Sequence, residues 1–188
     1  FAASIATANR RKDYPVINAM FSKEKTRRLL EAIGAPVTDH FRPIGRLSRL
    51  RARDLADGRV VKPARSSNDR GVVALLPIGR NRWRDLLTGT EMNFAELVAT
   101  LKGHREREKF PDQWIIEELL LPADGSARAI DDVKISMFGD RMACSFVRCN
   151  APRGYQWFDE NWDKVEVGIH QGKLNPEIER PAQFEALE

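Results

Sequence analysis

Val133-Lys134-Ile135-Ser136-Met137-Phe138-Gly139-Asp140-Arg141-Met142-Ala143-Cys144-Ser145-Phe146-Val147-Arg148 is the stretch whose reading decides the fold. Val133 to Phe138 alternates apolar and polar residues, Gly139-Asp140 turns the chain, and Met142 to Arg148 returns. Period-two patterning around a tight turn specifies an antiparallel hairpin. Upstream, Arg59-Val60-Val61-Lys62-Pro63 and Val72 to Ile78 read as a second strand pair. Its tip, Ala64 to Gly71, is unusually long and polar. Trp114 to Leu121 is an apolar run expected as a buried strand, His40 to Ile44 as a short one, and Tyr155 to Trp162 as extended chain.

Helices separate these strands. Ser22 is a suitable N-cap and Gly34 a suitable stop for a helix with Leu29, Leu30 and Ile33 on its apolar side. Asn93 and Glu96 form a capping box ahead of Phe94, Leu97, Val98 and Leu101, which share one helical face. Arg46 to Leu55 is expected as a basic surface helix. The order helix, strands, helix, strands gives an α+β class with antiparallel pairing rather than a βαβ series.

Composition agrees with an ordinary folded chain. Of 188 residues, 42% are hydrophobic and 31% charged, which argues against wholesale disorder. Two cysteines, Cys144 and Cys149, rule out a disulfide framework and a four-cysteine zinc site. No apolar run approaches the ~20 residues of a membrane helix. Phe1 to Thr7 is too short and uncharged for a signal peptide. Phe1 in place of Met suggests that the natural start lies upstream. The net charge of +4 hides an asymmetry: residues 1–110 carry 23 Lys+Arg against 12 Asp+Glu, and residues 111–188 carry 8 against 15. A basic half beside an acidic half suits either a polyanion or a phosphorylated ligand.

Three groups of residues can carry chemistry. Lys62 ends an apolar strand and is followed by a loop offering Ser66, Ser67 and Asn68. A lysine so placed can meet phosphate while the loop cradles anionic oxygens, or it can be a solvated hairpin lysine. Glu117 and Glu118 close an apolar strand, where an unpaired carboxylate is costly. They can read a purine edge, or one can pair with an arginine while the other faces water. Asp132, Lys134 and Arg148 fall on paired strands. They can point basic groups at an anion, or form cross-strand ion pairs involving Asp131, Asp132 or Asp140. His40, His104 and His170 are too far apart for a metal site, and Cys144 reads as a core residue with no histidine near it in sequence. The tryptophans and Phe158 read as core rather than as base-stacking platforms.

Taken in order, Lys23, Gly34-Ala35-Pro36-Val37, Val60-Val61-Lys62-Pro63 with its polar loop, Ile115-Ile116-Glu117-Glu118-Leu119-Leu120, Asp132-Val133-Lys134 and Arg148 resemble the landmarks of the ATP-grasp superfamily, over about residues 20–188. The run from Glu117 through Asp132-Val133-Lys134 to Trp157-Phe158-Asp159 and Asn161-Trp162 is most similar to the teichuronopeptide-biosynthesis (TupA-like) branch, with the sugar-transfer-associated and glutamate-ligase-like branches as near alternatives. That resemblance implies two lobes of antiparallel sheet and packed helices gripping ATP. The first lobe would run over about 20–115 and the second over about 116–188, after a remnant segment at 1–19. It implies that Lys62 and Lys23 contact phosphate, with Lys25 a competing alignment for Lys23. It implies that Ser66 and Ser67 cover the triphosphate, and that Glu117, Glu118 and Leu120 form the adenine hinge. Asp132, Lys134 and Arg148 would face the γ-phosphate and the acceptor carboxylate, with Lys134 and Arg148 in the catalytic role.

The implied activity is a cytoplasmic carboxylate–amine ligase acting through an acyl phosphate with ATP and Mg²⁺, in cell-surface polysaccharide or polypeptide biosynthesis. Two departures stand out: the phosphate loop is poor in glycine, and Val133 replaces the aromatic usual in that branch. The superfamily's magnesium ligands lie on later strands, so they are expected beyond Glu188. The chain is then expected to be a fragment, inactive by itself. A competing reading is a nucleic-acid-binding module using Arg42, Arg46, Arg49, Arg51 and Arg53 in the basic half, although no recognised nucleic-acid motif is present. A third is a nucleotide-binding scaffold without catalysis.

Overall fold

Ser22 precedes the first helix, α1 (Lys23–Ala32), in the computed structural model, which describes residues 22–66, 69–150, 153–166 and 174–181. The helix stops where the sequence says it should. Gly34 turns left-handed at φ 72°, its N–H bonds the Glu31 carbonyl at 3.1 Å, and the Ala35 N–H bonds the Leu30 carbonyl at 2.9 Å. This is the paired hydrogen bonding of a Schellman ending, which glycine allows because it has no Cβ to clash. The expected apolar side is not buried, however: Leu29 is 51% and Ile33 68% exposed.

Six strands make the first sheet: β1 (Phe41–Pro43), β2 (Arg59–Pro63), β3 (Val73–Gly79), β4 (Arg82–Asp85), β5 (Glu91–Asn93) and β6 (Trp114–Glu118). Their order is β1-β6-β2-β3-β4-β5, with every pairing antiparallel. Strand β6 lies between β1 and β2, which explains why Trp114, Ile115 and Ile116 are all buried. Its register sets Lys62 beside Ile115 and Val60 beside Glu117. The second helix, α2 (Phe94–Glu108), starts from the capping box read in the sequence: the Asn93 side chain accepts from the Ala95 and Glu96 N–H groups, and Glu96 accepts from the Asn93 N–H. Leu97 and Leu101 are buried in the core with Leu75, Trp83 and Trp114.

Residues 46–55 form two short 3-10 turns, Leu47–Arg49 and Ala52–Leu55, instead of the expected helix. Leu47, Leu50 and Leu55 are all buried, and their i, i+3, i+8 spacing would also suit one helical face, so the pattern alone does not separate a helix from turns. The turns bend the chain so that the three leucines enter the core and the arginines between them stay outside. Strand β4 alternates across the sheet. Its Trp83 and Asp85 point inward while Arg82 and Arg84 point out.

The second sheet holds β7 (Asp132–Phe138), β8 (Arg141–Asn150), β9 (Arg153–Phe158) and β10 (Lys164–Val165), in the order β10-β9-β8-β7 and antiparallel throughout. The hairpin read from Val133–Arg148 is β7 and β8, with Gly139 left-handed in the turn. Cys144 does not occupy the core. Pairing of Ser145 with Phe158 and of Val147 with Gln156 turns Ser145 and Val147 inward and leaves Cys144 half-buried. The molecule is thus a mixed α+β fold with two antiparallel sheets and two α-helices among the described residues. By its contacts the chain divides into two compact units, Phe1–Leu119 and Leu120–Glu188.

Candidate functional site

Helix α1, the segment after it and strands β1, β2 and β6 of the first unit border an open cavity of about 460 Å³. Helix α1 contributes Lys23, Thr26, Arg27 and Leu30, a stripe set by the i, i+3, i+4, i+7 spacing of one helical face. The segment after its glycine stop adds Pro36, Val37 and Thr38, and β1 adds Phe41. Strand β2 supplies Lys62 and β6 supplies Glu117. Its wall residues therefore include three cations, Lys23, Arg27 and Lys62, and the apolar Leu30, Pro36, Val37 and Phe41.

Lys23, Lys62 and Glu117 form a charge cluster. Lys62 is ion-paired with Glu117. The Lys23 ammonium donates to the Ser66 carbonyl at 3.0 Å, tying α1 to the loop that follows β2. Burial holds the Lys23 pKa below its ordinary value, the nearby Lys62 charge lowers it further, and Glu117 partly offsets both. Two ammonium groups 39 positions apart in sequence have thus been brought close enough to repel, with the Glu117 carboxylate near both. Such an arrangement favours a multiply charged anion, which relieves the repulsion when it binds.

The other sequence candidates in this unit surround the same strand ends. Glu118 accepts from the Asp39 N–H at 3.1 Å, and its own N–H donates to the His40 carbonyl at 3.0 Å. Among the described residues neither glutamate is paired with an arginine: Glu117 takes a lysine, and Glu118 takes a backbone N–H. Ser66 belongs to the cluster through its carbonyl, whereas Ser67 and Asn68 lie outside the described residues. The loop re-enters the sheet at Gly71, left-handed at φ 74° and packed against Phe110 and Pro63.

The second unit holds the remaining candidates. The Asp132 carboxylate lies 3.3 Å from the Arg148 guanidinium across the strand pair and 3.4 Å from the Lys134 ammonium. Lys134 also lies 5.2 Å from the centre of the Phe146 ring. These three side chains share one sheet face, with Phe146, Tyr155 and Trp157 beside them by register. Leu120 is exposed. A larger cavity of about 760 Å³ lies against the opposite face, where Val133, Val147 and Ile178 are wall residues. Its Arg128 and Asp131 are paired with each other at 3.1 Å, and it contains none of the sequence candidates.

Arg27 is the residue that sequence reasoning missed. Its signal was its place one helical turn after Lys23, on the same face. Among the described residues, no three His, Cys, Asp or Glu side chains gather as a bound cation would need, so no residue here is given to magnesium. No described helix is long and apolar enough to cross a membrane. Two of the five arginines in 42–53 are engaged locally: Arg42 pairs with Asp54 at 2.8 Å, and Arg51 donates to the Ser48 and Leu50 carbonyls. The chain matches no protein-family model, no curated protein and no solved structure.

Proposed function

We propose that the chain is an ATP-binding domain of ATP-grasp type, from a carboxylate–amine ligase that works through an acyl phosphate. The two-lobed grip on nucleotide and a role in cytoplasmic assembly of a cell-surface polymer belong to the same proposal. The observation that carries it is the convergence of Lys23 and Lys62 on one cavity wall, with Ser66 of the polar loop tied to Lys23. In this reading the two ammonium groups hold the phosphate chain. Residues 117–120 carry the adenine edge, and Asp132 orients Lys134 and Arg148 toward the reacting groups.

The reaction needs alignment and charge stabilisation more than a protein nucleophile. A substrate carboxylate attacks the γ-phosphorus of ATP, the bond to ADP breaks, and an amine then displaces phosphate from the acyl phosphate. Lysine and arginine suit that chemistry because negative charge spreads over the phosphoryl oxygens in the transition state. Magnesium, when bound with the nucleotide, supplies further neutralisation of that charge.

Calorimetric titration with ATP tests the reading. Wild-type protein should bind, and Lys62→Ala should weaken binding at least ~tenfold, the scale of one charge-assisted contact. Equal binding by both proteins, or by neither, contradicts it. Loss of binding with a fold intact by circular dichroism supports it.

A further inference from the structure

We propose that Arg27 is a third anion-binding residue of the Lys23–Lys62 cavity, and that it makes the cavity select chains of phosphate over a single phosphate. The proposal rests on the polyphosphate reading of that cavity. Arg27 lines the cavity from the same face of α1 as Lys23. Its guanidinium is held from three sides: Nε donates to Glu31 at 2.7 Å, Nη1 donates to the Thr38 hydroxyl at 3.2 Å, and the group lies 4.9 Å from the centre of the Phe41 ring. Its side chain is 16% exposed.

Those contacts use only part of the fork. A guanidinium carries five N–H donors, so two partners leave hydrogens on both terminal nitrogens for an anion. A purely structural arginine on an amphipathic helix would snorkel into water. This one instead lies over an aromatic ring, with Glu31 and Thr38 as hydrogen-bond partners before any ligand arrives. Fixing the rotamers beforehand lowers the entropy that binding must overcome.

The charge count gives the selectivity. Among the cavity's wall residues Lys23, Arg27 and Lys62 are cationic and Glu117 is the single carboxylate. Counting the Glu31 carboxylate paired with Arg27, the net is one positive charge, and a ligand with several negative oxygens spread along it can meet all three cations. Orthophosphate can satisfy the two lysines alone, whereas a longer phosphate chain is needed to engage Arg27 as well.

Inorganic tripolyphosphate and orthophosphate, titrated separately into the whole chain, are the probes. Arg27→Met keeps the length and loses the charge; Arg27→Lys keeps the charge and loses the fork. Tripolyphosphate affinity should fall about tenfold or more in Arg27→Met and by less in Arg27→Lys. Orthophosphate affinity should change by less than about twofold, so the ratio between the two ligands collapses. Lys62→Ala should instead weaken both. An unchanged ratio in an Arg27→Met protein that still responds to Lys62→Ala overturns the role of Arg27 alone. Wild-type protein that binds neither probe overturns the polyphosphate reading and this proposal together. Tripolyphosphate binding without ATP binding overturns the nucleotide reading and leaves Arg27 standing. If Arg27→Met does not fold, an unchanged ratio in Arg27→Lys decides against the role.

Discussion

Lys23 is the residue where the site's physics is most concentrated. Its pKa is depressed first by burial and then by Lys62. Between that depressed value and the ordinary value of 10.5, part of the Lys23 population is neutral in the folded chain and charged in the unfolded one. The unfolded state then binds more protons, so stability from this group rises with pH across that window and is lost again as pH falls through the folded value. A bound polyanion favours the charged form and restores the proton. ATP binding at a pH between the depressed and the ordinary value should therefore take up protons, seen as a binding enthalpy that varies with the buffer's ionisation enthalpy. Lys23→Met should remove that dependence; its persistence in the variant would assign the uptake elsewhere. Lys62 was legible from its place at a strand end, whereas Lys23 was legible only through the family resemblance, with Lys25 as a competing alignment. Arg27 was overlooked because Leu29, Leu30 and Ile33 suggested that α1 turned its leucines to the core, whereas the helix turns Lys23, Thr26, Arg27 and Leu30 to the cavity.

At the scale of elements, local patterns were read well and long-range pairings were not. The β7–β8 hairpin, the β2–β3 pair, the Gly34 stop and the Asn93–Glu96 cap all depend on residues a few positions apart. The insertion of β6 between β1 and β2 joins residues far apart in the chain, and no periodicity encodes it. Residues 46–55 misled for a different reason: their leucines anchor turns, so tertiary burial overrides helical spacing. The loop after β2 carries a prediction. A Cβ on Gly71 would sit 2.7 Å from the Phe110 ring and 3.0 Å from Pro63, and φ is 74° there. Gly71→Ala combines a clash with a left-handed backbone, so it should destabilise by more than about 1 kcal/mol and loosen the loop that holds Ser66. Urea denaturation measures the first effect and ATP affinity the second. Gly34 is also left-handed but has no heavy atom within 4 Å of the added carbon. Gly34→Ala should therefore cost only the backbone term and serve as the control.

Across the whole molecule, the two units differ in how much they bury. The first has a continuous core running through Leu50, Leu55, Val61, Leu75, Trp114 and Ile116. In the second, the buried cluster among the described residues is Val147, Phe158 and Ile178, and strand β7 leaves Met137 and Phe138 exposed at 54% and 79%. Apolar burial dominates local stability, so amide exchange should be slower in β2, β3 and β6 than in β7, β8 and β9. Equal protection in the two groups would contradict that ranking. The basic excess of the first half now has a partial explanation in Lys23, Arg27 and Lys62. Exposed Arg46, Arg49 and Arg53 have none in the structure.

The same exchange experiment, repeated with saturating ATP and magnesium, tests the central claim most directly. Nucleotide held by Lys23 and Lys62 should slow exchange in the segment from β2 through Gly71 and in the first turns of α1, and Lys62→Ala should abolish the change. Exchange in both segments that is indifferent to ATP would contradict the assignment of this cavity to a nucleotide's phosphates.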